Sequence, residues 1–323
     1  MRAGRITVST RAFEVVDVAT PDAAAGQVRI KVGAAGVCLS DVHFLEGILS
    51  PGYLNGDCVT LGHEVSGTVD QIGAGVTTSA IGDRVVVIAG ERNTAQKITT
   101  MGFDYDGGWA EYVVTKAELV AKIPDALAFE QAAIIPDAVS TPWAAITSTG
   151  HVVAGEKVAV FGVGGLGIHA VQLLKIIGAS VIAIDPREDA RSNALARGAD
   201  FAFAPDDALL KKHRGLNAAF DFAGVTPVRK QALSLLGEQG RLVIIGIANE
   251  PIVIPNDMAF TYMRTQIMGH YGSEDHHVRE LIEFAAQGKL DLSQSVTEIM
   301  PLEKAAEALD KLANKVGNPI RIV

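Results

Sequence analysis

The sequence predicts an α/β protein of two domains, a partly open β-barrel and a doubly wound parallel sheet. The first third of the chain is rich in glycine and in short alternating apolar segments. Further along, strands and helices alternate around a glycine motif at residues 157–185. In addition, the chain of 323 residues is too long for a single hydrophobic core of ordinary size.

The glycine motif lies between a strand and a helix. Residues 157–161 read KVAVF, and apolar residues recur at helical spacing from residue 166 to residue 177. In such a turn the first glycine permits a tight bend, the second lets a pyrophosphate approach the backbone, and the third lets the helix pack on the strand. The stretch therefore predicts a Rossmann dinucleotide-binding unit, with cofactor contacts from Gly162, Gly164, Gly165, Leu166 and Gly167.

Asp185 ends the second strand of this unit, roughly 20 residues beyond Gly162. An acid at that position accepts hydrogen bonds from the adenosine ribose hydroxyls, and its charge repels a 2′-phosphate. The sequence therefore predicts NAD(H) rather than NADP(H). The alternative is an α/β turn that binds no ligand.

Beyond Asp185, strands and helices alternate. Pro186, two acids in the next turn and Gly198 are the start and stop signals of a helix. The strands number six, as in a doubly wound sheet, and are predicted at residues 157–161, 180–184, 201–203, 218–222, 241–247 and 266–271. Gly246, in the fifth strand, is a further candidate for cofactor binding.

The first third of the chain has strand patterns between glycine-rich turns. Strands are predicted at residues 6–8, 13–16, 27–32, 64–72, 83–88 and 109–115. After Pro124 we expect a helix at residues 129–135, interrupted by Pro136, and a second helix at residues 141–149.

The tail is predicted to form two amphipathic helices, at residues 278–287 and 302–312, and a closing strand at residues 319–323. We expect this strand to rejoin the β-rich part and to make that domain discontinuous. The predicted domains are therefore residues 1–136 with 275–323, and residues 137–274.

Composition narrows the class of protein. No apolar stretch reaches the roughly 18 to 20 residues of a membrane span, so no membrane partner is expected. The net charge of −9 argues against a nucleic-acid partner. The chain begins without an apolar signal segment and its two cysteines suit a reducing compartment, which predicts a cytoplasmic location.

Three short segments carry residues of the kind that bind metal ions. Residues 36–43 read GVCLSDVH, residues 62–64 read GHE, and residues 136–137 read PD. Each alone is weak evidence, because a buried cysteine is usually a small hydrophobic residue and a lone histidine is more often part of a turn. Their order ahead of the glycine motif is more specific.

With these segments the chain resembles the medium-chain dehydrogenase/reductase superfamily, in its zinc-dependent alcohol dehydrogenase branch. The resemblance covers nearly the whole length, through GVCLSDVH, LGHE at residues 61–64, GDRV at residues 82–85, GGWAEY at residues 107–112 and the glycine motif. It implies a GroES-like catalytic domain and one catalytic zinc held by Cys38, His63 and Asp137, with Glu64 behind the metal or exchanging with a ligand. It also implies that Thr141 begins the helix that leads to the nicotinamide.

Asp137 departs from the family, in which many members have a cysteine. A carboxylate binds Zn²⁺ at about 2.0–2.2 Å and a thiolate at about 2.3 Å, and either supplies one negative charge. We therefore interpret Asp137 as a substituted ligand. The alternative is that it only caps the following helix, in which case Glu64 or water completes the site.

Other candidate metal ligands are weaker. Two cysteines exclude the family's second, structural zinc, which needs four, and residues 90–106 contain none, so ordinary packing is expected there. Cys58 is a rival ligand near His63 that we interpret as a free thiol. His276 and His277 are expected in a solvated loop, and His169 is expected to be packed or on the surface.

The resemblance also implies a route for the proton. Ser40 takes the proton of the alcohol, and His43 releases it to solvent through the cofactor ribose. Chemistry requires such a route, because hydride leaves carbon only as the oxygen loses its proton. Candidate walls of the substrate pocket are Phe44, Trp109 and Trp143.

The predicted function is reversible hydride transfer between a primary or secondary alcohol and NAD⁺ in a zinc-dependent dehydrogenase, whose partner is a small alcohol or carbonyl substrate. One alternative is a zinc-free quinone or enone reductase of the same superfamily, and another is a nucleotide-binding sensor without a working catalytic site.

The sixth predicted strand is the edge of an open sheet. Because such an edge can pair with that of a second copy of the chain, we expect a homodimer or homotetramer.

Overall fold

The chain forms two compact units. The computed structural model describes residues 1–92, 98–247 and 250–323, so part of the cysteine-free segment at residues 90–106 lies outside the described residues. One unit, here called the barrel unit, comprises Met1–Ser140 and Ser273–Val323, and the other, the sheet unit, comprises Thr141–Gly272. The division puts Asp137 in the barrel unit, whereas the sequence analysis had placed it at the start of the Rossmann domain.

Antiparallel strands dominate the barrel unit. A five-stranded sheet has the order β10-β6-β5-β3-β9 and a three-stranded sheet the order β2-β1-β4, while β7 pairs with β8. Alternating residues of the five-stranded sheet, such as Val28, Ile30 and Val69, bury one apolar face. In chain order the elements are β1 (Arg2–Thr7), β2 (Ala12–Asp17), β3 (Gln27–Ala35), α1 (Leu39–Leu45), β4 (Cys58–Thr60), β5 (Val65–Ile72), β6 (Arg84–Val87), β7 (Gly90–Arg92), β8 (Ile98–Thr100), β9 (Tyr112–Lys116), β10 (Val120–Lys122) and α2 (Phe129–Ala133).

The α-helix before Pro136 ends as predicted, but the chain stays helical because a π-helical turn follows. After α2 the chain forms a π-helical turn (Ile135–Val139), followed by α3 (Ser140–Ala144) and a second π-helical turn (Ala145–Thr149). Pro136 lies at the start of the first π-helical turn, where a missing backbone N–H is tolerated. This turn contains Asp137, and π-helical turns are frequent at functional sites.

The sheet unit is a six-stranded parallel sheet, which confirms the predicted doubly wound fold. Its strand order is β13-β12-β11-β14-β15-β16. Phe161 pairs with both Ile184 and Asp221, so the carboxyl ends of the central strands lie at one edge. The elements are β11 (Lys157–Phe161), α4 (Gly167–Ile177), β12 (Ser180–Ile184), α5 (Glu188–Ala196), β13 (Phe201–Phe203), β14 (Leu216–Asp221), α6 (Thr226–Leu235), β15 (Leu236–Ile244), α7 (Asp257–Tyr262) and β16 (Gln266–Gly269).

The C-terminal segment returns to the barrel unit. It comprises α8 (Asp275–Ala286), β17 (Val296–Glu298), α9 (Ala305–Ala313) and β18 (Arg321–Ile322). β18 pairs with β17, and Ile322 forms a bridge to Val37, just before the cysteine of the first motif. Throughout the described residues, the helices are too short or too polar to cross a membrane.

We predict that Gly67→Ala destabilises the protein while Gly90→Ala does not. Gly67 lies within β5, where an added Cβ would be 2.2 Å from the backbone oxygen of Lys31, whereas a Cβ at Gly90 meets nothing within 4 Å. Overpacking of this kind costs about 1–3 kcal/mol or more, against roughly 0.5 kcal/mol or less for a neutral surface change. Equal urea midpoints for the two variants would contradict the packing of β3 on β5.

Candidate metal centre and nucleotide site

Four potential metal ligands meet in the barrel unit. Ligand atoms of Cys38, His63, Glu64 and Asp137 all lie within 4.8 Å of one another, and this is the only such group among the described residues. Asp137 Oδ2 is 3.3 Å from Cys38 Sγ and 3.4 Å from His63 Nε2. Glu64 is buried, as are Cys38 and His63, while Asp137 is partly exposed. The group therefore offers sulfur, nitrogen and oxygen donors around one point.

Local structure brings these residues together from three places in the chain. Cys38 is the residue just before α1, and His63 and Glu64 lie in the short connection from β4 to β5. Asp137 lies in the π-helical turn after α2. Its carboxylate contacts two other members of the group, which the helix-cap alternative does not require.

Asp41 is a residue whose role the sequence analysis missed. It is fully buried, and its Oδ2 accepts a hydrogen bond from the backbone N–H of Cys38 at 2.9 Å. Its Oδ1 lies 3.4 Å from Nδ1 of His63, on the side of the ring away from Asp137. The two atoms form an ion-pair contact and not a hydrogen bond, and a carboxylate on this side of the ring favours one orientation of a metal-binding imidazole. The spacing of Asp41, one helical turn after Cys38, indicates its bond to the backbone of Cys38 but not its contact with His63.

Arg321 was also missed. Its guanidinium forms a buried ion pair with Glu64 Oε1, and both side chains are almost completely excluded from solvent. Arg321 stands between Ile320 and Ile322 in the closing strand, and a cation in such an apolar strand needs a buried partner. The other carboxylate oxygen, Glu64 Oε2, is buried without a hydrogen-bond partner among the described residues.

Burial and the crowding of acidic groups shift the pKa values of this cluster. Burial raises the pKa of Glu64 to about 7 against the opposing charge of Arg321, and burial together with the Asp137 charge raises the pKa of the Cys38 thiol. Although burial disfavours the imidazolium, the charge of Asp41 raises the pKa of His63 well above 6.5. A divalent cation would satisfy these donors and the unpartnered oxygen of Glu64 together, so the residues fit a zinc ion.

Two glycines and Trp109 shape the walls around this group. A Cβ at Gly36 would lie 1.9 Å from Glu64 Oε2, and one at Gly62 would lie 2.3 Å from Trp109 Cδ1. Trp109 Nε1 donates a hydrogen bond to the backbone oxygen of Gly36 at 3.0 Å. Only glycine fits at either position. The indole ring of Trp109 contacts both the segment of Gly36 and that of Gly62.

The structure places Phe44 and Trp109, two of the proposed pocket walls, in the hydrophobic core of the barrel unit. Phe44 is fully buried and stacks on Phe103 with ring centroids 5.0 Å apart, and Phe103 in turn lies 5.6 Å from the ring of His63. Packing in the core is sufficient to explain the burial of both Phe44 and Trp109. Their role in binding substrate stays a prediction.

Ser40 and His43 lie one helical turn apart on α1. Ser40 Oγ is 3.6 Å from Cys38 Sγ, so its hydroxyl borders the ligand group, and both Ser40 and His43 are partly exposed. The predicted proton-transfer residues therefore lie beside the candidate metal centre, in a part of α1 that solvent reaches.

Cys58 and the remaining histidines lie elsewhere. Cys58 is a free, exposed thiol in β4, with its sulfur 3.5 Å from Thr7 Oγ1. His276 and His277 begin α8 rather than a loop, and His277 is buried there, where its Nδ1 accepts from the backbone N–H of Glu274. His169 is buried in α4.

The glycine motif of the sheet unit forms a tight turn between β11 and α4. Gly162 has a φ of +82°, and a Cβ at Gly167 would lie 1.9 Å from the backbone oxygen of Gly162. A Cβ at Gly164 would meet only Arg187 Nη2, at 3.8 Å, so the space above this glycine is open. Gly165 and Leu166 complete the turn, which leads into the N-terminus of α4. This geometry suits a pyrophosphate, with the helix N-terminus facing it.

Asp185 follows β12 at the same edge of the sheet. Its Oδ2 accepts a hydrogen bond from the backbone N–H of Val163 at 3.0 Å, which ties it to the glycine turn. Its Oδ1 accepts from the backbone N–H and from Nε of Arg187, at 2.9 and 3.1 Å. Arg187 is therefore an ion-pair partner that the sequence analysis did not consider.

Gly246 lies just after β15, where a Cβ would be 2.3 Å from the backbone nitrogen of Gly224. A buried ion pair fixes the backbone at Gly246. Arg229 donates to Asp221 Oδ2 and to the backbone oxygen of Gly246, both at 3.0 Å. Thr141 and Trp143 are buried in α3. Their predicted roles toward cofactor and substrate stay predictions.

The chain matches two protein-family models. One is the alcohol dehydrogenase GroES-like domain, at residues 24–125, and the other is the zinc-binding dehydrogenase domain, at residues 165–287. An alcohol dehydrogenase of Geobacillus stearothermophilus is 31% identical over 333 residues, covering 97% of this chain and 96% of the relative. A D-arabitol-phosphate dehydrogenase of Enterococcus avium is 28% identical, covering 95% of this chain and 92% of the relative.

Solved structures agree with these matches. The alcohol dehydrogenase of Aeropyrum pernix superimposes with a TM-score of 0.88 at 28% identity, covering 100% of this chain and 99% of that chain. The 2R,3R-butanediol dehydrogenase of Bacillus subtilis superimposes with a TM-score of 0.90 at 26% identity, covering 99% and 98%. Fold, motifs and relatives together show that the chain belongs to the zinc-dependent alcohol dehydrogenase family of the medium-chain dehydrogenases/reductases.

Proposed function

We propose that the protein is a zinc-dependent, NAD(H)-linked dehydrogenase that interconverts a primary or secondary alcohol and its aldehyde or ketone. The observation that carries this proposal is the convergence of Cys38, His63, Glu64 and Asp137 within 4.8 Å. A quinone or enone reductase without zinc has no use for such a group. A nucleotide-binding sensor that has lost its catalytic site would not need buried residues that orient these four potential metal ligands.

Cys38, His63 and Asp137 would hold one zinc ion, with Glu64 as a reserve ligand. The thiolate and the Asp137 carboxylate supply two negative charges, which leave the ion formally neutralised. When bound, the ion serves as a Lewis acid for the substrate oxygen. Asp41 keeps the ring of His63 oriented, and Arg321 holds one oxygen of Glu64 so that the other is available.

Proton transfer falls to α1. Ser40 accepts the hydroxyl proton of the alcohol as its own hydroxyl proton is released toward His43, because its Oγ borders the ligand group and it is partly exposed. His43, one turn further along the helix, passes the proton on to solvent. NAD(H), held at the glycine turn of residues 162–167 and at Asp185, would supply the hydride chemistry, while the protein supplies binding and orientation.

A panel of alcohols and carbonyl compounds with NAD(H) tests the reaction. We expect turnover, measured by nicotinamide absorbance, with simple primary or secondary alcohols and their carbonyl partners. His63→Ala should abolish it by removing a ligand. Reduction of enone double bonds by protein that contains no zinc would support the reductase alternative and overturn this proposal.

The role of Asp137 is tested by zinc content. Asp137→Ala should lower both zinc occupancy and turnover, whereas Asp137→Cys keeps the charge and should retain zinc and part of the activity. Asp17→Ala, which removes an exposed acid, is the matched control. If Asp137 acted only as a helix cap, the alanine variant would lose about 0.5–2 kcal/mol of stability with full zinc occupancy, as measured by elemental analysis.

We also propose that the protein assembles as a homodimer or homotetramer through the free edge of β16. Tyr271, just after this strand, is 67% exposed, and Met258 and Tyr262 expose further apolar surface in the same unit. Light scattering should show at least a dimer. Tyr271→Glu should weaken it, whereas Ile81→Glu, at an equally exposed apolar residue, should not. A monomer at micromolar concentration would contradict the proposal.

A further inference from the structure

The carboxylate of Asp185 is fully occupied by hydrogen bonds. Oδ1 accepts from the backbone N–H of Arg187 and from its Nε, and Oδ2 accepts from the backbone N–H of Val163 and from Arg187 Nη2, the last at 3.3 Å. A carboxylate offers about four acceptor positions. Ribose hydroxyls can therefore reach Asp185 only if the guanidinium of Arg187 moves away.

Arg187 is more exposed than Asp185 and lies where a nucleotide would approach. Its side chain is 27% exposed, whereas that of Asp185 is 5% exposed. Its Nη2 is the group nearest to the open space above Gly164. Among the described residues, the guanidinium of Arg187 bonds to no side chain other than that of Asp185.

The charged residues next to Arg187 do not offer a second cation that could bind a phosphate in its place. Arg191 Nη1 donates to the backbone oxygens of Asp185 and Pro186, both at 2.8 Å, so this second cation supports the backbone of the turn. Glu188 and Asp189, in the first turn of α5, are exposed to solvent. Arg191 therefore bonds to backbone oxygens, whereas Arg187 bonds to a carboxylate. Arg187 could exchange that carboxylate for a phosphate.

We propose that Arg187 determines cofactor specificity and lets the protein bind NADP(H) as well as NAD(H). This inference rests on the proposed function. When the nucleotide carries a 2′-phosphate, the guanidinium leaves Asp185 and binds the phosphate. When the nucleotide has a free 2′-hydroxyl, the guanidinium turns to solvent and Asp185 binds the ribose.

Two opposing effects bring the affinities together. Both nucleotides must break the ion pair between Asp185 and Arg187. NAD(H) then gains the bonds to Asp185 but leaves Arg187 without its partner, whereas NADP(H) gains a charge-assisted contact to Arg187 but meets the charge of Asp185. Asp185 considered alone predicts a strong preference for NAD(H). The ion pair predicts dissociation constants for NADH and NADPH within about tenfold of each other.

Titration calorimetry of the full-length protein with NADH and NADPH tests this proposal without turnover. Arg187→Ala should weaken NADPH binding by about ten- to a hundredfold, the usual effect of losing a charge-assisted hydrogen bond, and leave NADH binding unchanged or tighter. Arg187→Lys should restore part of the NADPH affinity. Arg191→Ala removes the same charge from the same turn and should not change the NADH to NADPH ratio.

A second pair of variants separates phosphate binding from the ion pair. Asp185→Ser should tighten NADPH binding, and adding Arg187→Ala to it should remove that gain. The fragments ADP and 2′,5′-ADP should reproduce the difference, because they contain the 2′ position without the nicotinamide.

The outcomes distinguish this inference from the proposed function. If Arg187→Ala changes the binding of NADH and NADPH by the same factor, or wild-type protein prefers NADH by much more than about tenfold, the inference is overturned while the dehydrogenase proposal stands. If neither dinucleotide binds wild-type protein, both are overturned.

Discussion

Buried charge is the constraint on which the barrel unit depends. Asp41, Glu64 and Arg321 are almost completely excluded from solvent, and Cys38 and His63 lie beside them. An isolated charge in such a place is strongly unfavourable, so each must meet an opposite charge, a hydrogen-bond donor or a cation. Asp41 meets a backbone N–H and an imidazole, and Glu64 meets Arg321. Half of the Glu64 carboxylate and the donors around it are left for a metal ion.

This constraint links distant parts of the chain. Glu64 and Arg321 are 257 residues apart, so the candidate metal centre is complete only when the C-terminal strand is in place. The bridge between Val37 and Ile322 sets that strand next to the residue preceding Cys38. Folding of the C-terminal segment and organisation of the metal centre are therefore expected to be coupled. A long-range ion pair of this kind also explains why a cation is retained in an otherwise apolar strand.

The sheet unit uses the same physical device in a different way. Asp221 and Arg229 form a buried pair that fixes the turn at Gly246. Asp185 and Arg187 form a pair at the same edge, but one that solvent reaches. The buried pair of Asp221 and Arg229 is shielded from any other partner, whereas the partly exposed guanidinium of Arg187 is accessible to the phosphate that we propose it binds. Burial thus separates a structural ion pair from one that is suited to specificity.

The sequence by itself determined the two-domain α/β fold, the six parallel strands and the dinucleotide motif. These follow from local rules, because alternation, glycine spacing and strand–turn–helix order are properties of neighbouring residues. The four potential metal ligands were identified through the resemblance to a known family, because each of their segments alone is weak evidence. Only the tertiary structure decided that Pro136 begins a π-helical turn, that Asp41 and Arg321 support His63 and Glu64, and that Arg187 occupies Asp185. Periodicity does not report the partner of a charged side chain. That partner depends on which distant backbone segments approach one another, and so on the packing of the whole unit.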